Sequence, residues 1–179
     1  MAEQTGSPVY AVHVSSERAL RVAQAARARG LPFFIETRPI YLHLTRERFD
    51  GPDAGLYVGQ PPLREQSDQD ALWEALANGT IDVVGTDHVA YSREDKLDPS
   101  QTITNHRAGM NHLQMLRPLL FSDGVLAGRI SVERFVEVTA TNPAKLFGIF
   151  PEKGTIAVGS DADLVLWDPE ETRTVRDQD

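Results

Sequence analysis

The chain contains no cysteine, which excludes disulfides and thiolate-ligated zinc. Any metal it binds must be held by His, Asp, Glu or a modified Lys. It also lacks a long apolar run, so nothing in it reads as a membrane span. Residues 1–8 have neither a basic nor an apolar stretch, so no secretory signal is expected and a cytoplasmic setting follows. Positive charge is in short supply. Eighteen basic against 26 acidic side chains leave a net charge of -8, the wrong sign for a nucleic-acid surface. No repeat or low-complexity tract is present. What remains is 179 residues, 41% of them hydrophobic, enough for a soluble domain with a core.

Residues 9–14 read as a buried strand after the turn-forming Gly6-Ser7-Pro8. Ser15 and Ser16 offer N-caps to a helix over 17–29, and Gly30 stops it. Residues 33–37 form a second strand, which completes a parallel strand-helix-strand unit. A short strand is expected around 56–58. Ser67 and Asp70 have the spacing of a capping box ahead of Leu72, Trp73 and Leu76. The strand at 81–84 follows and runs straight into Gly85-Thr86-Asp87-His88. Residues 89–106 are polar and weakly patterned, as active-site loops often are. Helices are expected over 110–121 and 132–140, with a separate short one beginning at Asn142-Pro143. Residues 153–159 and 164–167 look like paired β segments.

Two strand tips thus end in metal-capable residues, His13 and Asp87. The C-terminal ends of strands are where parallel α/β folds collect catalytic and metal-binding groups. An imidazole and a carboxylate converging there suit a borderline ion such as Zn²⁺, and Asp87 could also accept a proton from a bound water. Taken singly, His13 is more simply a core histidine and Asp87 a turn residue. Two ligands are also one fewer than catalytic zinc usually takes. Gln60-Pro61-Pro62 is a stiff turn that could aim backbone groups at a ligand, or simply a loop corner. The loop around Asn105 could do the same ahead of a helix, although a capped helix entry is the plainer reading.

The order of these pieces is more specific than any one of them. The run from Gly6 to Ser15, Glu36-Thr37-Arg38-Pro39-Ile40-Tyr41-Leu42, Pro61-Pro62-Leu63-Arg64 and Gly85-Thr86-Asp87-His88 come in sequence. Asn142-Pro143-Ala144-Lys145-Leu146-Phe147-Gly148 and the run from Lys153 to Leu164 follow. This ensemble resembles the dihydropyrimidinase, hydantoinase and allantoinase group of the amidohydrolase superfamily. The resemblance implies an α/β fold: the C-terminal part of a (β/α)₈ barrel, about strands 6–8 over residues 1–150. Residues 151–179 would then begin a small β-sandwich segment. It implies hydrolysis of cyclic amide C–N bonds at a binuclear Zn²⁺ centre, acting on a small cyclic amide in a homo-oligomeric parent. By motif, His13 and Asp87 are metal ligands, Asp87 is also the catalytic proton shuttle, and Gln60 and Asn105 contact substrate.

Departures from the group's pattern bear on specificity. Gln60 stands where Ser is usual, and Arg38 and Ile40 where Cys and Gln are usual. Thr104, His106 and Asn111 likewise replace Pro, Gly and Glu. Larger elements are missing. None of the five histidines forms a His-x-His pair, and no lysine precedes His13. A complete barrel takes roughly 250 residues. The expectation is therefore a C-terminal portion of such a hydrolase, inactive by itself. Allantoinase or dihydroorotase chemistry remains an alternative. So does a non-catalytic scaffold, against which the retention of both His13 and Asp87 argues.

Overall fold

The computed structural model describes residues 2–102 and 104–176. Its centre is a three-stranded parallel sheet, β1 (Val9–Ala11), β2 (Phe33–Thr37) and β3 (Val83–Val84), in the order β1-β2-β3. Val9 pairs with Phe33 and Ala11 with Ile35; Glu36 pairs with Val83 and Thr37 with Val84. Because all three strands run the same way, their C-terminal tips form one rim, with the tip of β2 in the middle.

A short helix α1 (Ala2–Thr5) precedes the sheet. Helix α2 (Glu17–Ala28) crosses from β1 to β2, and the Ser16 hydroxyl accepts from the Ala19 amide to cap its start. Its buried stripe of Leu20, Ala23 and Ala26 has the three-to-four-residue spacing of one helix face. After β2 come α3 (Pro39–His43), two 3₁₀ turns (Arg46–Phe49 and Ala54–Tyr57) and α4 (Gln66–Ala77). The core sits where α2, α3 and α4 cover one face of the sheet. Ile35, Leu72, Leu76 and Ile81 are fully buried there. Asp82 ties the layers together: its carboxylate accepts from the Ile35 amide at 2.7 Å and pairs with Arg27 of α2.

Beyond β3 lie α5 (Arg93–Lys96), α6 (Leu116–Leu120), α7 (Val132–Val136) and α8 (Asn142–Leu146). Helix α6 widens into a π-helical stretch, Phe121–Leu126. Helices α7 and α8 are joined through another, Glu137–Thr141, so they form one continuous helical run rather than two. The widening lies directly ahead of Pro143, which has no N–H to close an α turn.

Several expectations fail for local reasons. Residues 56–58 belong to a 3₁₀ turn and its exit, not a strand. Ser67 does not cap α4, whose N-cap is Glu65; Asp68 instead accepts from the Glu17 amide at the start of α2. The β pairing expected of 153–159 with 164–167 is not formed. Residues 151–176 contain no strand, and Ile156, Val158 and Leu166 stand almost fully exposed, at 87%, 109% and 101%. Without facing strands, these β-prone stretches have nothing to pair with. Among the described residues no helix is long and apolar enough to cross a membrane.

Candidate active site

The rim at the C-terminal ends of the strands carries His13 beyond β1, Arg38 beyond β2 and Asp87 beyond β3. His13 and Asp87 are the non-glycine residues with positive φ among those described, at 43° and 47°. The left-handed region is tolerated best by Asn, Asp and His among side-chain-bearing residues. Such strain persists where the surroundings over-determine it, often at functional sites. Here the ladder imposes it on both sides. The Val14 amide donates to Glu36 O at 2.8 Å and the Thr37 hydroxyl donates to Val14 O at 2.8 Å, pinning the chain after His13. The Gly85 amide donates to Thr37 O at 3.0 Å, pinning the chain before Asp87.

Arg38 connects the rim. It is 1% exposed. Its Nη1 lies 3.0 Å from Oδ2 of Asp87, whose side chain is 47% exposed. Its Nε donates to Thr86 O at 3.2 Å, and Nη2 to Asp87 O at 3.4 Å. Nη1 also reaches Gln60 O at 3.4 Å. The guanidinium lies over the Tyr41 ring, whose hydroxyl donates to Pro61 O at 2.7 Å. Burial raises the Tyr41 pKa, with Arg38 opposing, so the phenol stays protonated and can donate.

The loop after β3 is fastened by two buried basic side chains, one neutral and one charged. His112 packs beneath Thr86, its Nε2 2.5 Å from Thr86 O. That contact assigns the ring proton to Nε2. Burial, then the Arg38 charge, lowers the His112 pKa, so the ring is neutral at neutral pH. His88 Nδ1 accepts from the amides of His112 and Leu113 at 3.1 and 3.2 Å. Lys96, 5% exposed, donates to Val58 O and Gly109 O at 2.7 Å each.

Burial alone pushes the Lys96 ammonium down to about 8. The unfolded chain, at about 10.5, therefore holds more protons than the folded one between pH 8 and 10.5. In that window stability rises with pH, and the full penalty applies below pH 8. The urea midpoint of the wild type, relative to Lys96→Met, is expected to climb by roughly 1 M from pH 7.5 to 10. Parallel pH profiles for the two proteins would show that the buried charge is not what sets the slope in this window.

Of the residues singled out from sequence, His13 and Asp87 share the rim, and Gln60 joins Asp87 through Arg38. Asn105 is not drawn in. Its Oδ1 accepts from the Thr102 amide at 2.5 Å and the Thr102 hydroxyl at 3.0 Å, closing its own exposed turn. Sequence reasoning does not reach Arg38, His88, His112 or Lys96 as site residues. Arg38 alone carries a signal, as a departure from the related pattern at that position. Among the described residues no group of three or more metal-capable side chains converges.

Residues 9–178 match the Amidohydrolase family. The chain is 44% identical over 176 residues to a D-hydantoinase of Ralstonia pickettii and 41% identical over 171 residues to a D-phenylhydantoinase of Escherichia coli. Each match covers 95% of this chain but only 38% and 37% of the relative. The chain therefore spans little more than a third of their length. Among solved structures, the D-hydantoinase (dihydropyrimidinase) of a Thermus species superposes with a TM-score of 0.93 at 44% identity, over 97% of this chain and 38% of that one. The L-hydantoinase (dihydropyrimidinase) of Arthrobacter aurescens gives 0.83 at 35% identity, over 90% of this chain and 36% of that one.

Proposed function

This chain belongs to the amidohydrolase family, a family of hydrolases, and from that premise we propose that it supplies part of the active site of a cyclic-amide hydrolase. The proposed reaction is that of the hydantoinases and dihydropyrimidinases: water adds to a ring carbonyl, the adjacent C–N bond breaks, and the ring nitrogen leaves with a proton. The observation that carries the reading is Asp87: a half-exposed carboxylate on the strand rim, in a left-handed conformation that the ladder imposes. We assign it the transfer of the water proton to the departing nitrogen.

Residues 1–150 are proposed as about strands 6–8 of a barrel and residues 151–179 as the start of a β-sandwich segment. His13 and Asp87 are proposed as two ligands of a zinc centre, with Gln60 and Asn105 as backbone contacts to substrate. The residues present do not complete a metal site, because no third metal-capable side chain joins these two in a cluster among the described residues. Arg38 already holds one Asp87 oxygen. The remaining ligands would come from the length of the relatives that this chain does not span. On this reading the 179-residue chain alone opens no ring.

The experiment is a chimera in which this chain replaces the matching 176-residue stretch of the Ralstonia pickettii D-hydantoinase. A folded chimera is expected to open hydantoin or dihydrouracil rings, while the isolated chain turns over neither. A folded, metal-loaded chimera without turnover would sink the proposal. Turnover by the isolated chain with stoichiometric zinc would sink the assignment of a shared site.

A further inference from the structure

Arg38 is the most deeply buried charge in the described structure, and its side chain spends its donors on two separate segments. One is the tip of β3, through Thr86 O, Asp87 O and Asp87 Oδ2. The other is the Gln60-Pro61 turn, through Gln60 O directly and Pro61 O by way of Tyr41. Gln60 and Asp87 are 27 residues apart in sequence (87 − 60). The hydrogen bonds that link them run through this guanidinium.

We propose that Arg38 is a positioning residue that locks the Asp87 carboxylate and the Gln60 carbonyl into one rigid unit. The inference rests on the roles given above to Asp87 and Gln60, and goes beyond them by stating what sets their relative placement. The chemistry favours arginine specifically. A guanidinium carries five donors in a rigid fork and is always charged, so it can serve four oxygens in diverging directions. A lysine ammonium has three donors at one point and cannot span them. A buried guanidinium is also costly without an anion, so the carboxylate that reaches it, Asp87, is held against the strain of its backbone. Substrate held at the Gln60 turn and proton transfer at Asp87 would then keep a fixed separation, which is what an effective bound geometry requires.

A plain structural crosslink between β2 and β3 would need none of the Gln60 contact, and this separates the two readings. The test uses the ¹⁵N-labelled 179-residue chain in chelator. Asp87→Asn, at an exposed side chain, is expected to shift the Gln60 amide several-fold more than the median amide of α4. In an Arg38→Met background the same substitution should leave Gln60 at that median. Should Arg38→Met not fold, Arg38→Lys is the background, with the same expectation. Urea unfolding of the four proteins of the cycle is expected to show an Arg38–Asp87 coupling of about tenfold or more in the unfolding constant.

A Gln60 amide that ignores Asp87→Asn overturns the proposal. So does a shift that persists without the guanidinium, or a coupling within twofold. None of these measurements uses turnover. Failure of the chimera assay therefore leaves them standing, and their failure leaves turnover by the chimera unaffected.

Discussion

Asp87→Asn in the hydantoinase chimera is expected to lower kcat/KM for hydantoin by about 10³-fold, close to 4 kcal/mol of transition-state stabilisation. The substitution is chosen to change the chemistry of the side chain and not its shape. Asn has nearly the same volume as Asp and tolerates the left-handed conformation at φ 47°, so the backbone at the tip of β3 has no reason to move. What it loses is the charge, the capacity to take a proton and, on the proposed reading, a carboxylate ligand to zinc, so metal content is measured beside kcat. It also leaves Arg38, 3.0 Å away, as a buried cation with no counter-ion, which pulls the amide oxygen towards the guanidinium. Both effects act on the proton-transfer step more than on ring binding, so the loss should fall mainly in kcat. Circular dichroism of the variant should match the parent. A folded Asn variant that keeps kcat/KM within tenfold would remove Asp87 from the chemistry.

How far the sequence foretells this site depends on which forces act locally. Strand β2 is legible to the residue, since Phe33–Thr37 combines β-formers with a preceding Pro and a following Arg-Pro stop. Strand β1 is expected over 9–14 but pairs only over Val9–Ala11. The regular pairing stops at Ala11, ahead of the left-handed turn at His13, although the Val14 amide returns to bond Glu36 O; a left-handed histidine leaves no mark in composition. The rim itself is legible because strand polarity follows from connectivity: helical crossovers between strands force a parallel sheet, and a parallel sheet puts its tips at one end. Cross-links between rim residues are not legible. Arg38 stands out in the sequence only as a departure from a related pattern, because nothing local says that a guanidinium will turn inward and reach segments 22 and 49 residues away. Lys96 gives no signal for a similar reason. Its partners are carbonyls, which every residue has. The β pairing expected near the C-terminal end fails on the opposite count: local propensity is right for strands, but propensity does not supply a partner.

Leu76→Ala is expected to destabilise the isolated chain by about 3 kcal/mol, lowering the urea midpoint by roughly 1.5 M. Leu76 is fully buried on α4, in the cluster that α2, α3 and α4 make against the sheet. Its carbonyl accepts from Nε of Arg134 at 2.7 Å, and Arg134 also donates to Ile81 O. The end of α4 is thus anchored to the chain entering β3, and it cannot slide inward to close the cavity. This makes the cost fall near the middle of the range for buried leucines rather than its floor. The effect matters because the sheet has only three strands and much apolar surface stays in water. The total stability should sit at or below the low end of the usual 5–15 kcal/mol, so the substitution removes a large share of it. Val22→Ala on α2, where the side chain is 64% exposed, is the matched control and should move the midpoint little, as surface changes usually stay within about 0.5 kcal/mol. Equal shifts for the two variants would mean that the core around Leu72, Leu76 and Ile81 is not closely packed in the isolated chain. The rim above it would then lack the rigid base that the Arg38 network needs.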